Sequence, residues 1–315
     1  MQNLQSTDHV LMVRPKHFGF NPETAATNAF QTDALARTQD TSKAAAEEFD
    51  RLAETLRISG VKVIIADEPD SPILPDSVFP NNWVSFHPDG SIFLYPMLSA
   101  SRRLERRHDI LETISRQFRV LRISDFSGAE NEGKFLEGTG SLVFDHLNRL
   151  AFACRSGRTH DELLKKFQSE SGYRVITFEA VDESGKAVYH TNVVMCIGSK
   201  FAAICLDSIR NQDQKTLVAT ELSGTGREII ELGLDQMMNF AGNMIELRRS
   251  FHSPAPMEPD KLILMSSRAW NCLRKFQQET LSRFGKVIHA PIPTIENAGG
   301  GSVRCMIAEI FLDPV

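Results

Sequence analysis

The strongest constraint on this chain is a block that recurs along it: two short apolar strands, a helix and a third strand. "NNWVSFHPDGSIFLYPM" reads as two alternating runs around Pro88-Asp89-Gly90, a hairpin with a clear turn signal. An amphipathic helix over 101–118 and the strand "RVLRIS" follow. "TGSLVFDHLNRLAFAC" repeats the hairpin, with a helix over 159–169 and the strand "YRVITFEA" behind it. "HTNVVMCIGSKFAAICL" turns at Gly198-Ser199-Lys200 and again leads to a helix and a strand. "GNMIELRRS…KLILMS" has a longer turn containing proline, then a helix over 267–284 and the strand "KVIHAPI". "GSVRCMIAEIFL" is a fifth first strand with nothing after it to pair with.

The first strands begin near residues 82, 139, 192, 243 and 303, a spacing of about 50–60 residues. A period of this size predicts one repeat architecture rather than separate domains. What the fifth unit lacks stands at the start of the chain: the strand "HVLMVR" over 9–14, a helix over 42–59 stopped at Gly60, and the strand "VKVIIAD". The expectation is an α/β fold: a five-bladed α/β propeller of ββαβ units with pseudo-fivefold symmetry. It would form a single domain over 1–315, closed by pairing the N-terminal strand with the C-terminal unit. An ordinary α/β sheet with coincidental spacing is the weaker reading, because five units share one order of elements. The polar segment 16–40 reads as a long loop of the kind that covers a site.

Composition narrows the class of function. A net charge of -5 and a pI near 6.0 give no reason to expect nucleic acid or an anionic membrane surface as partner. The longest apolar runs are strand-sized, so no membrane span is expected. No basic-then-apolar leader opens the sequence. The cysteines at 154, 196, 205, 272 and 305 are odd in number and show no CxxC spacing, which argues against disulfides or zinc and for a reducing cytoplasm. No metal or cofactor motif is present, neither GxGxxG nor GxxxxGK. The expected partner is a small-molecule amino-acid substrate, and the sequence leaves room for a homo-oligomer.

Radial repeats bring equivalent positions together at the axis. The residues that open the five first strands are Asn82, Glu137, Asn192, Asn243 and Cys305, with His190 beside Asn192. Taken singly, each is an ordinary strand-end, capping or core residue. In register they place a thiol, a carboxylate, an imidazole and several amides together. That set suits attack on a planar carbon bonded to nitrogen: a thiolate as nucleophile, an imidazole to protonate the leaving amine and then activate water, and a carboxylate to orient it. Gly299-Gly300-Gly301, ahead of Cys305, would let the backbone approach a ligand and offer N–H groups to an oxyanion.

Those motifs resemble the pentein, or guanidino-group-modifying, superfamily, which includes arginine deiminase, dimethylarginine dimethylaminohydrolase and amidinotransferases. "PDSVFPNNW", "LEGTGSLVF", "YHTNVVM" and "GGGSVRCM" match its acidic, LEGGD, histidine and nucleophile motifs along nearly the whole chain. The resemblance implies the five-bladed propeller, with Cys305 as nucleophile, His190 as general acid/base and Glu137 as the carboxylate at the reacting group. "SGRTHDEL" implies Arg158 on the substrate α-carboxylate. "SASRRLE" nominates Arg103 as substrate-facing, and Asp76 falls on a family acidic position.

The departures from that pattern matter as much. Asn82 stands where the family has a guanidinium-binding aspartate, His190-x-Asn192 replaces HxD, and Gly140 replaces the LEGGD aspartate. Each change removes a negative charge. A guanidinium favours carboxylates, whereas an asparagine can both accept from N–H and donate to C=O, as a neutral ureido group requires. Together with a resemblance to a citrulline hydrolase (ureidase) subgroup, this implies a Cys-dependent C–N hydrolase converting citrulline to ornithine, carbon dioxide and ammonia. The alternatives are an arginine deiminase-like or dimethylarginine hydrolase or an amidinotransferase, and, from another class, a non-catalytic pentein like the ribosome anti-association factor.

Overall fold

A computed structural model describes residues 4–31, 38–250 and 260–315. Within them each alternating run forms an antiparallel pair, and each helix returns the chain to a parallel third strand. The chain opens with β1 (His9–Arg14), α1 (Pro22–Ala25), α2 (Gln39–Ile58) and β2 (Lys62–Asp67). The first full unit is β3 (Val84–Phe86), β4 (Ser91–Leu94), α3 (Ala100–Arg103), α4 (His108–Ser115) and β5 (Arg122–Asp125). The second is α5 (Gly138–Ser141), β6 (Leu142–Asp145), β7 (Leu150–Cys154), α6 (Asp161–Ser171) and β8 (Arg174–Phe178). The third is α7 (Thr191–Val194), β9 (Met195–Ile197), β10 (Phe201–Ile204), α8 (Gln212–Gly224) and β11 (Glu228–Glu231). The fourth is α9 (Leu234–Met238), β12 (Ile245–Arg248), β13 (Lys261–Ser266), α10 (Ser267–Cys272), α11 (Lys275–Phe284) and β14 (Lys286–Ala290), and α12 (Pro293–Gly299) and β15 (Ala308–Glu309) complete the chain.

The result is an α/β fold of five small sheets, each of three strands with the second strand central. The fifth sheet has the order β15-β1-β2: β1 pairs antiparallel with β15 (Val10 opposite Glu309) and parallel with β2 (Val10 opposite Val63). First strands of neighbouring sheets lie side by side, β15 against β3, β6 against β9 and β9 against β12. The inner strands are buried on both faces, as in "LVFD" and "LAFAC", whereas the outer β2 and β5 are half exposed. That is why the inner strands read as continuous apolar runs. Helix α2 starts at Thr38, whose hydroxyl accepts from the Thr41 N–H, and it buries Ala45, Phe49, Leu52 and Leu56 on one face.

Three expectations about elements are corrected. The helix over 101–118 is two pieces, because Arg102 turns inward to Glu105 while Arg103 and Arg106 reach back to the carbonyls of Met97 and Tyr95. The helix over 267–284 breaks where Leu273 and Arg274 become extended and Gln277 caps the Arg274 N–H. The segment 16–40 is not all loop: it holds α1 and the first turn of α2, while 32–37 lie outside the described residues, as does the turn expected over 251–259.

One correction bears on the site. Four of the residues expected to open first strands sit on or cap single helical turns just before them: Asn82 on a 3-10 turn at Pro80–Asn82, Glu137 at the N-cap of α5, Asn192 on α7 and Cys305 on a 3-10 turn at Val303–Met306; Asn243 lies in the connection between α9 and β12. Gly138 shows why the turns can stack closely. Its φ is 44°, and a Cβ there would lie 2.2 Å from the Asn81 carbonyl oxygen, so only glycine lets α5 meet the Pro80–Asn82 turn backbone to backbone.

Candidate active site

Cys305 lies on the Val303–Met306 turn, 3% exposed, its N–H donating to the Ser302 carbonyl at 2.9 Å. Two amides face its sulfur: Asn243 Nδ2 at 3.3 Å and Asn192 Nδ2 at 3.5 Å. The other four cysteines are poor nucleophiles. Burial pushes the Cys154 and Cys196 thiols up to about 12 and Cys272 up to about 11, and raises Cys205 as well.

His190 stands at the N-cap of α7 and Glu137 at the N-cap of α5, and their side chains meet at 2.8 Å between His190 Nε2 and Glu137 Oε2. Glu137 also accepts from Arg158 Nη1 (3.2 Å) and the Leu98 N–H (3.1 Å). Burial alone would raise the Glu137 carboxyl, but the Arg158 guanidinium, the His190 hydrogen bond and Arg102 outweigh it and hold the group well below the usual carboxylate range. Glu137 is therefore a carboxylate, and His190 Nε2 must be the N–H that donates to it. Burial pulls His190 down to about 4 against the upward pull of Glu137, so the resting imidazole is neutral with its lone pair on Nδ1. Nδ1 has no protein hydrogen-bond partner among the described residues.

His190 and Cys305 line one cleft with Asp76, Asn82, Arg102 and Arg158. Arg102 is 3% exposed, bidentate to Glu105 (2.9 Å twice), and donates through Nη1 to Asn82 Oδ1 at 2.9 Å. A guanidinium has only donors, so the Asn82 oxygen must face it. Asn82 Nδ2 is left buried and without a hydrogen-bond partner. Asp76 accepts from Asn21 Nδ2 at 2.7 Å through Oδ2, while its Oδ1 is buried without a partner. Burial raises its carboxyl, opposed by Arg102 and the Asn21 bond.

The sequence-predicted residues divide as follows. Cys305, His190, Asn82, Asp76 and Arg158 meet at the cleft; Glu137 and Asn192 lie directly behind it, on His190 and Cys305. Arg158 is committed to Glu137, Thr27 Oγ1 and the Thr24 carbonyl, with its guanidinium over the Tyr189 ring. Arg103 is turned away: it donates to the Met97 and Leu98 carbonyls and lies over the Phe135 ring. Arg102, one position earlier on α3, is the arginine that faces the cleft. The glycine stretch is also not a free turn. Gly299 ends α12, the Gly300 N–H donates to the Glu296 carbonyl, and a Cβ on Gly299 or Gly301 would come within 2.9 Å of the Phe79 ring.

The site and fold can now be compared with known proteins. A sequence profile described as N,N dimethylarginine dimethylhydrolase, eukaryotic, matches residues 14–312. The chain belongs to this family. It is thereby a pentein, a relative of the guanidino-modifying hydrolases. Among solved structures, an apo arginine dihydrolase from the ornithine-ammonia cycle in cyanobacteria superposes with a TM-score of 0.71 at 16% identity, over 98% of this chain and 41% of that one. The chain thus spans less than half the length of that relative. The N-terminal domain of the same enzyme, bound to product, gives a TM-score of 0.72 at 16% identity over 96% and 97% of the two chains. A dimethylarginine hydrolase (DDAH) from Pseudomonas aeruginosa, complexed with citrulline, gives 0.65 at 15% identity over 97% and 100%. At these identities the likeness is one of fold. No curated protein sequence matches the chain significantly.

Against the dimethylarginine dimethylhydrolase family, sequence reasoning missed three contributors. Arg102 was hidden by the one-residue ambiguity of "SRR", which only the break between α3 and α4 resolves. Thr24 enters the cleft from α1 and Asn28 from the segment after it, where nothing in the sequence marks them. Asn243 carried a signal in its register with Asn192 and Cys305, yet its target was not readable. Among the described residues no group of three His, Cys, Asp or Glu side chains is arranged to hold a metal ion. No described helix is long and apolar enough to cross a membrane.

Proposed function

We propose that this member of the dimethylarginine dimethylhydrolase family hydrolyses the C–N bond of a ureido amino acid, converting citrulline to ornithine, carbon dioxide and ammonia, with residues 1–315 acting as one closed unit. The observation that carries the reading is Asn82 Nδ2, a buried donor at the cleft with no acceptor, its orientation set by Arg102. A guanidinium offers only N–H groups and would leave that donor unsatisfied at a cost of about 1–3 kcal/mol. A ureido carbonyl satisfies it. The amides of Asn192 and Asn243 at the sulfur and the engagement of Glu137 by His190 and Arg158 agree, since the groups in contact with the sulfur are amides rather than carboxylates.

In this mechanism neutral His190 takes the thiol proton at Nδ1 as the Cys305 sulfur bonds to the ureido carbon. It then gives that proton to the δ-nitrogen as ornithine leaves. Water, deprotonated by the same nitrogen, adds to the S-carbamoyl carbon, the C–S bond breaks, and the released carbamate decomposes to carbon dioxide and ammonia. Glu137 fixes the imidazole tautomer and stabilises the imidazolium that forms between steps. Arg158 meets the α-carboxylate by exchanging its Thr24 and Thr27 contacts, at the rim of the cleft.

A second reading, hydrolysis of arginine or a methylarginine, is favoured by the family match and by Asp76 Oδ1, a carboxylate oxygen with a vacant acceptor position for a cationic group. Ammonia release and amino-acid products measured with citrulline, arginine and methylarginines separate the two. Turnover of arginine with none of citrulline would overturn the first. Intact mass after incubation with a slow citrulline analogue should give one adduct, mapping to Cys305 and absent in Cys305→Ser.

A further inference from the structure

The fourth sheet contributes to the site through Asn243. It is fully buried, in the turn between α9 and β12, and all four hydrogen-bonding directions of its amide and backbone N–H are accounted for. Oδ1 accepts from the Arg304 N–H at 3.1 Å, the peptide group next to the nucleophile. A backbone N–H can only donate, so the oxygen is fixed on that side and Nδ2 carries both remaining hydrogens. One goes to the Asn192 carbonyl at 3.0 Å and the other to Cys305 Sγ at 3.3 Å. The backbone N–H of Asn243 donates to the Phe240 carbonyl at 2.8 Å.

The turn that holds Asn243 is built at some conformational cost. Phe240 adopts φ 62°, a left-handed conformation that a bulky side chain rarely takes. Gly242 packs so closely on α7 that a Cβ would lie 2.2 Å from the Val193 carbonyl oxygen. Together they bring the third and fourth sheets into backbone contact and aim one amide at the sulfur.

We propose that Asn243 is a catalytic residue, the principal N–H donor to the Cys305 sulfur when it carries negative charge. This rests on the hydrolytic reading above. The sulfur is anionic as it attacks the ureido carbon, and it regains its electron pair when water displaces it from the S-carbamoyl carbon. The same N–H meets it at both points, because the amide is held from the protein side and makes no contact that substrate must displace. Asn192, at 3.5 Å, is the second donor, and the Asn243 bond to its carbonyl steadies the backbone that carries it.

The test uses the full chain and two variants, Asn243→Ala and Asn243→Asp, the second keeping the shape and an acceptor for the Arg304 N–H. Alkylation of Cys305 by iodoacetamide, followed by mass spectrometry across pH without substrate, reports the thiolate directly. The midpoint should rise by about one to two pH units in both variants, the size expected for losing one hydrogen bond to a charged group. In Asn243→Asp the rise should be the larger, because a carboxylate oxygen then faces the sulfur. With citrulline, kcat should fall about 10- to 100-fold while KM stays within about twofold, since Asn243 touches no substrate. A packing role alone would lower the melting temperature and leave the alkylation midpoint in place, and an unchanged midpoint in Asn243→Asp overturns the proposal. The alkylation experiment needs no substrate. If citrulline is not turned over by the unmodified enzyme, the functional reading fails while the assignment of Asn243 is still decided.

Discussion

Replacing Asn82 by aspartate changes one atom that the structure leaves idle. Asn82 is 2% exposed, its oxygen held at 2.9 Å by Arg102 Nη1 and its nitrogen unpartnered. In Asn82→Asp the Arg102 contact survives and strengthens, while the idle donor becomes an acceptor. Facing a ureido carbonyl, it loses one hydrogen bond and sets two acceptors against each other. The expected loss is about 2–3 kcal/mol, or roughly 30- to 150-fold in kcat/KM for citrulline. Facing a guanidinium, the same carboxylate makes a charge-assisted bond, so kcat/KM for arginine or a methylarginine should rise at least about tenfold. The assay is steady-state turnover of each amino acid by both proteins, with a thermal melt as control. The melting temperature should move by no more than about 4 °C, because Arg102 accepts the new charge. Unchanged citrulline kcat/KM in Asn82→Asp would refute the argument that this amide reads a carbonyl.

Four further substitutions test the surrounding geometry. Glu137→Gln removes the group that pulls the His190 pKa upward, so the imidazole midpoint followed by NMR should drop further below about 4, and kcat should fall at least about 100-fold. The same change leaves Arg158 buried without its carboxylate and should cost about 3–5 kcal/mol in chemical denaturation, a loss complete above pH 4.5, where the unfolded carboxyl is also ionised, and shrinking as pH falls below it toward the depressed native value. Gly140→Ala would put a Cβ 2.5 Å from Asn82 Nδ2 and 2.8 Å from the His190 ring, so turnover should fall at least about tenfold through displacement of both. Arg102→Ala should depress kcat/KM at least about 100-fold, whereas Arg103→Ala, which loses carbonyl and ring contacts and an ion pair with Glu130 outside the cleft, should stay within about threefold.

How legible the site was in the sequence depended on what kind of information each residue carried. The repeat of strand, strand, helix and strand announced the five sheets, because inner strands buried on both faces must read as apolar runs separated by turn residues. The register of Asn82, Glu137, Asn192, Asn243 and Cys305 pointed to a common location, and their side chains do converge there. Periodicity could not show that all but Asn243 ride on or cap single helical turns. A turn of four residues has too few positions to establish a 3.6-residue pattern, and "GTGS" and "TNVV" have weak helix propensity. The choice between Arg102 and Arg103 was likewise out of reach. It depends on where α3 stops, and that is set by side-chain contacts to Glu105 and to the Tyr95 and Met97 carbonyls rather than by helix propensity. The glycine stretch lines the cleft as its small residues suggested, but the sequence could not show that the missing side chains also make room for the Phe79 ring.

The sheet order β15-β1-β2 has a consequence for how the enzyme comes into being. During synthesis β1 and β2 emerge well ahead of β15, and the inner edge of β1 must wait for a partner supplied about 300 residues later, as the Thr7–Ile310 hydrogen bond shows. The thiol arrives with that partner, just ahead of β15. Its two amide donors come from positions 113 and 62 residues earlier in the chain. Contacts of such long sequence separation form late and slowly. A nascent chain therefore cannot present a poised sulfur until the last sheet has been stitched to the first strand. With Cys305 in the role proposed above, chemical competence becomes a checkpoint of complete folding, and half-made chains carry no assembled site.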